Sequence, residues 1–234
     1  MAGAIRIGEP ALEVTLRHSP RARRMVLRVS HAGRDAVLTL PPGVPLAKAH
    51  LFLSEQEAWL RGKLALRPGL AQVQDGSTLP LGDGTVTIRA SEGGRLVRIG
   101  DTLGVPGPAS ALPVRVAAWL REQAREVCVA ASDRHAGTIG KRVGRVTLRD
   151  PRSRWGSCTA GGDLMFSWRL ILAPSAVLDY VVAHEVAHLA ELNHSDRFWR
   201  GVRRLCPDFE AQRDWLRRHG AGLHAYDFKP AQPG

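Results

Sequence analysis

His184-Glu185-Val186-Ala187-His188 is the stretch whose reading decides the fold. On a helix, residues four apart share one face, so His184 and His188 can present two imidazoles to a single metal ion. Glu185 stands beside the first ligand, where a carboxylate can act as general base on a metal-activated water, the pattern of zinc hydrolases. The segment upstream, Ala176 to Ala183, is apolar, with Val177, Tyr180, Val181, His184 and His188 on one helical stripe. Pro174-Ser175 predicts the helix start, because proline is tolerated in the first turn.

A catalytic zinc takes three protein ligands and keeps one position open. His194, six residues after His188, is the expected third ligand. Asn193 tolerates the left-handed backbone that ends helices, so a helix stopping there would swing His194 back to the metal. The His spacing matches the metzincin pattern, with Glu191 where that pattern has glycine. Glu210, on a later helix, is the rival third ligand. A lone histidine on an apolar face is usually a hydrogen-bonded core residue. Two flanking a glutamate, with a third beyond the helix, are not explained that way. The cysteines are not clustered nearby, which argues against a closed structural zinc site.

Arg154-Trp155-Gly156-Ser157-Cys158, a strand, the His184–His188 motif, Asn193-His194-Ser195 and then Phe198-Trp199 together resemble the YgjP-like metallopeptidase family, a relative of the SprT and WLM small zincins. Arg21-Ala22-Arg23-Arg24-Met25 and Leu40-Pro41-Pro42-Gly43 resemble its N-terminal part. The resemblance implies zinc ligands at His184, His188 and His194, with Glu185 catalytic. It leaves the substrate open. A peptidase is the leading expectation. A nucleoside triphosphate (UTP-type) pyrophosphohydrolase on the same metal site is an alternative, and a DNA-associated SprT-like protease or basic binding module is another.

The chain has 234 residues, enough for one large or two small domains, with a globular composition of 44% hydrophobic and 24% charged residues. No apolar run is long enough for a membrane span, and the first residues lack the apolar core of a signal peptide. Three widely spaced cysteines, Cys128, Cys158 and Cys206, predict no disulfide framework and a reducing, cytoplasmic setting. The net charge of +11 favours anionic partners, nucleic acid, nucleotides or acidic peptides among them. Arginine inflation in an Ala-, Gly- and Leu-rich chain accounts for part of that charge, and no common nucleic-acid motif is visible. One zinc ion, or another divalent metal, is the expected cofactor.

The expected fold is α+β: a β-rich N-terminal subdomain with one helix (1–108), then a zincin-like metallohydrolase domain (109–234), joined at Pro106-Gly107-Pro108-Ala109-Ser110. Strands are predicted over 12–18, 25–30 and 36–40, with His31 to Asp35 as a hairpin loop. A helix is predicted over 46–66, ended by Pro68-Gly69. Strands at 85–90 and 95–99 are read as a hairpin. A helix over 114–131, strands over 143–149 and 164–172, the metal helix and two last helices follow. Strand 164–172 is the edge on which a peptide would pair. No internal repeat is evident. Substrate contacts are assigned to Arg154, Ser157 and Tyr180. Candidate oxyanion stabilisers are Arg154, Tyr180, His219, His224 and Tyr226. Arg21, Arg23, Arg24, Lys141 and Arg142 are candidate anion contacts. Trp155, Cys158, Phe198 and Trp199 read best as packing.

Overall fold

The structure, a computed structural model, describes residues 3–29, 36–65 and 70–230. The expected 31–35 loop and the Pro68-Gly69 stop lie outside the described residues. The chain forms two compact units, residues 1–70 and 71–234.

In the first unit, β1 (Gly3–Ile7), β2 (Leu12–His18), β3 (Val26–Val29) and β4 (Ala36–Leu40) form one sheet in the order β1-β2-β4-β3. The outer pairs are antiparallel and the central β2/β4 pair is parallel. Alternation puts Ile5, Ile7, Val14, Leu16, Leu38 and Leu40 on one buried face. Ala49 and Leu53 of α1 (Leu46–Glu55) and Leu60 of α2 (Glu57–Ala65) complete that core. The single helix expected over 46–66 is broken at Gln56, whose φ of −94° and ψ of 3° leave the helical well.

The second unit begins with the two-residue β5 (Ala71–Gln72). A four-stranded sheet follows: β6 (Thr78–Leu81), β7 (Gly84–Ser91), β8 (Val97–Ile99) and β9 (Thr102–Pro106), in the order β6-β7-β9-β8. The expected 85–90/95–99 hairpin is therefore not one. β9 lies between β7 and β8, parallel to the first and antiparallel to the second. This wiring is that of the first sheet, strand for strand, so a repeat exists that the sequence did not reveal.

The long helix α3 (Leu112–Thr138) comes next. Leu79, Val86, Ile88, Leu103 and Val105 of the sheet share one buried cluster with Val116 and Leu120 of α3 and with the residues beyond. That shared core explains why the division falls at 70/71 and not at the Pro106–Ser110 stretch.

β10 (Val146–Arg149), β11 (Gly156–Cys158) and β12 (Leu164–Ser167) form a small mixed sheet in the order β10-β12-β11. β12 is its middle strand, parallel to β10 and antiparallel to β11. It has no free edge for a peptide, which corrects the expectation placed on 164–172. The strand also stops at Ser167. Trp168, Leu170, Ile171 and Leu172 are all buried, which a strand with one buried face cannot achieve, and residues 168–172 form a 3-10 turn. α4 (Ser175–Ala187), α5 (Asp196–Leu205), α6 (Phe209–His219) and β13 (Tyr226–Asp227) complete the unit, with β13 paired to β5. The architecture is mixed α+β. No helix among the described residues is long and apolar enough to cross a membrane.

Candidate metal centre

α4 is apolar on nearly every side: Val177, Leu178, Tyr180, Val181, Val182, Ala183, Val186 and Ala187 are all buried. Such a helix belongs in a core, and its few polar side chains have assigned places. Asp179 is paired with Arg134 and with His135 Nε2 at 3.0 Å, which fixes α4 against α3. Burial alone would raise its pKa, but His135 and Arg134 outweigh that and hold it below the ordinary carboxylate range. At the start of the helix, Ser175 N donates to Asp83 Oδ1 at 3.0 Å. Asp83, from the β6–β7 turn, thus caps a helix distant in sequence.

α4 ends at Ala187, earlier than the stop expected at Asn193. Leu189 N, Ala190 N and Glu191 N bond back to Val186 O and Ala187 O in a tight turn. No described residue other than glycine has a positive φ, so Asn193 does not act through the left-handed backbone. Its side chain acts instead: Oδ1 accepts from Ser195 N at 3.0 Å. Ser195 Oγ then accepts from Phe198 N and starts α5.

This turn brings His194 beside the helix. His194 Nε2 lies 3.2 Å from His184 Nε2, and the ligand atoms of His184, His188 and His194 all lie within 4.8 Å of one another. Phe198, 1% exposed, floors the cluster. It stacks on His188 at 4.5 Å and meets His184 and His194 edge-on at 4.9 and 4.7 Å. Trp199 stands 5.8 Å from the His184 ring. The packing roles expected for these two aromatics fit these contacts.

The donors suit a divalent metal. Two imidazole nitrogens 3.2 Å apart have overlapping lone-pair space, which only a shared proton or a cation relieves. His188 Nδ1 donates to Glu191 O at 3.0 Å, which leaves its Nε2 as the lone-pair atom, as ligating histidines are usually arranged. Burial, then His188, His194 and Arg213, push the His184 pKa down to about 4, so this imidazole is neutral at pH 7 and could take a metal without losing a proton. Its Nδ1 is buried with no hydrogen-bond partner among the described residues.

Glu185 is 7% exposed, and burial pushes its pKa up to about 7 against the opposing charge of the exposed Arg154. The carboxylate lies on the backbone of β11. A Cβ on Gly156 would come within 2.6 Å of Glu185 Cγ and Oε1. Only glycine leaves room for this side chain.

The remaining sequence candidates scatter. Ser157 is half-buried on β11 opposite Met165. Tyr180 is buried, edge-on to His184 at 6.0 Å and stacked on Phe209 at 6.3 Å; burial pushes its hydroxyl up to about 12. Glu210 is exposed, pairs with Arg203 at 3.1 Å and stands outside the cluster. His219 is exposed beside Trp215, His224 is buried and stacked on Trp155 at 5.2 Å, and Tyr226 is half-buried in β13. The Cys158 thiol is pushed up to about 11 by burial and by the charges of Glu185 and Asp163, so it is no nucleophile at neutral pH. Arg21, Arg23 and Arg24 lie between β2 and β3 of the first unit. Lys141 and Arg142 line a cleft that His188 also lines. Gly156, Asp83 and the Asn193 side chain were not singled out from sequence. The 152–158 stretch reads from sequence as a tight loop between strands, whereas Gly156–Cys158 is itself a strand, in which a glycine marks a close approach.

A family model described as YgjP-like, metallopeptidase domain, matches residues 23–219. The chain belongs to that family. Its membership makes it a metallopeptidase-domain protein, for which a divalent metal at the His cluster is the natural cofactor. The YgjP-like chain is also similar to the metallopeptidase zymogen abylysin of Pyrococcus abyssi. The identity is 20% and the TM-score 0.35, over 40% of this chain and 92% of that one. No curated protein matches it.

Proposed function

We propose that this protein is a zinc-dependent, zincin-like peptidase, with His184, His188 and His194 holding one zinc ion and Glu185 acting as general base. The observation that carries the reading is the convergence of the three imidazoles, with two Nε2 atoms 3.2 Å apart and a buried carboxylate on the adjoining residue. When bound, the metal would supply the positive charge that acidifies a water and polarises the scissile carbonyl.

The chain's own residues do the rest. Glu185 Oε1 accepts the proton of the attacking water and returns it to the amine nitrogen as the C–N bond breaks. Gly156 seats that carboxylate, and Asp83, Asp179 and Phe198 hold the helix and rings in place. Arg154 and Ser157, on or beside β11, are the proposed substrate contacts. β11 pairs with β12 on one side, and its other side is the edge on which a peptide would add as a strand. Three unpaired cysteines support a reducing, cytoplasmic location.

The test is to incubate zinc-loaded protein and Glu185→Gln with unfolded proteins and with nucleoside triphosphates. Peptide cleavage lost by ~10²-fold or more in the variant is expected for a general base. Nucleotide hydrolysis without peptide cleavage would sink the proposal.

A further inference from the structure

A cleft of about 360 Å³ opens beside the histidine cluster, with His188 in its wall. Its polar lining is Lys141, Arg142, Thr159 and the backbone of Gly161-Gly162, and no acidic residue lines it among the described residues. Both cations are exposed, and among the described residues neither forms an ion pair. The two acids adjoining lining residues in the chain are already engaged: Asp163 accepts from Arg145 N and from the Arg145 guanidinium, and Glu191 is paired with Arg197 at 3.9 Å. Two unpaired cations in one recess beside a reaction centre leave an anion-sized vacancy in the charge pattern.

The wall is built rather than loose. Gly144 N donates to Gly162 O and Gly162 N to Thr159 O, each at 2.9 Å, and Lys141 N donates to Ala136 O at the end of α3. Gly162 has a φ of +84°, and a Cβ there would sit 3.4 Å from Leu189. Leu189 and Leu192 supply apolar surface, Leu192 being 61% exposed, against which a hydrocarbon stem can lie. β11 leads from the seat of Glu185 at Gly156 to Thr159 at the cleft, three residues on, or ~10 Å at the rise of a strand.

We infer that this cleft is a substrate subsite for an acidic side chain, held by Lys141 and Arg142, two to three residues from the scissile bond on one side. The inference rests on the peptidase reading. A peptide laid along β11 with its cleaved bond at Glu185 places a side chain at Thr159. The ammonium and guanidinium there bind a carboxylate, and the leucines take its stem. Lys141 and Arg142 are thus specificity-determining residues.

The test walks a single Glu, Gln or Lys through each position of one peptide and follows cleavage by the zinc-loaded protein. Binding of the same peptides to Glu185→Gln is measured by fluorescence anisotropy. Glu should exceed Gln about ten-fold in kcat/KM at one position on one side, mainly through KM, with the preference shrinking as salt rises. The Lys141→Glu/Arg142→Glu double variant should invert the preference to Lys. Glu185-dependent cleavage without a charge preference, or a preference that the double variant leaves unchanged, would overturn the subsite alone. If no peptide is cleaved or bound, the peptidase reading itself fails.

Discussion

Strands β1–β4 and β6–β9 form sheets with the same wiring and different neighbours. In both, two antiparallel pairs join through a central parallel pair. Val14-Thr15-Leu16-Arg17 in β2 and Val86-Thr87-Ile88-Arg89 in β7 occupy the same place, and Leu38 and Leu103 are their fully buried partners in the central pair. Even the first turn agrees, with Gly8 and Gly82 at φ of +67° and +58°. The turns then diverge. The first receives its own unit's α2: Arg61, paired with Glu57, donates to Pro10 O at 2.7 Å. In the second, Gly82 N donates to Ile171 O and Asp83 caps α4. One scaffold therefore holds a helix of its own unit at the first turn and the helix that carries His184 and His188 at the second. The chemistry follows what the turn holds, since the sheets themselves match.

That contrast can be broken at equivalent positions. Leu38→Ala and Leu103→Ala should each cost about 2–5 kcal/mol, the usual range for a fully buried leucine. Amide exchange should rise in β1–β4, α1 and α2 for the first. For the second it should rise in the sheet and α3, with zinc affinity falling as well. Equal loss of zinc affinity in both variants would erase the distinction.

Gly156→Ala probes the part of the second unit that has no counterpart in the first. The added methyl displaces the Glu185 carboxylate, and kcat should fall about 10²-fold, roughly 2.7 kcal/mol. Zinc stoichiometry should be unchanged, read by metal analysis beside the kinetics.

Asp179 and Asp83 fix α4 at two points, and each should matter by about 1 kcal/mol. The Asp179 pKa is depressed in the folded protein. Its contribution is therefore complete above the unfolded-state carboxylate pKa and is lost as pH falls through the lower folded value. Asp179→Asn should be less stable at pH 7 and should lose less stability on acidification than the parent, as read by urea titrations at several pH values. Asp83→Ala should lower stability and loosen the first turn of α4, whereas Arg61→Ala, at the equivalent turn, should leave zinc affinity alone.

Much of the site was legible because its signal is local. Two histidines four apart on an apolar helix, a third after a break, and a carboxylate between them need no tertiary knowledge to recognise. Strands β2 and β4 were legible for the same reason, their alternation being clean. What failed was long-range. The 85–90/95–99 pair looked like a hairpin because nothing local shows that β9 inserts between the strands. Residues 164–172 alternate like a strand, yet both faces of 168–172 are buried. The division at 70/71 hides behind the Pro106–Ser110 stretch, which is proline-rich because it turns from β9 into α3. The sheet repeat escaped because only a few buried residues and turn glycines are shared. The seat for Glu185 at Gly156 is a backbone contact across the fold, which no spacing rule encodes.

The central claim is that three histidines hold one divalent metal and that Glu185 acts without ligating it. Metal stoichiometry and zinc affinity, measured on the parent, on Glu185→Gln and on alanine variants of His184, His188 and His194, test this directly. The account predicts one ion per chain, retained in Glu185→Gln and lost or weakened at least ~10-fold in each histidine variant. A histidine variant that kept parental affinity, or a Glu185→Gln protein that could not hold the ion, would contradict it.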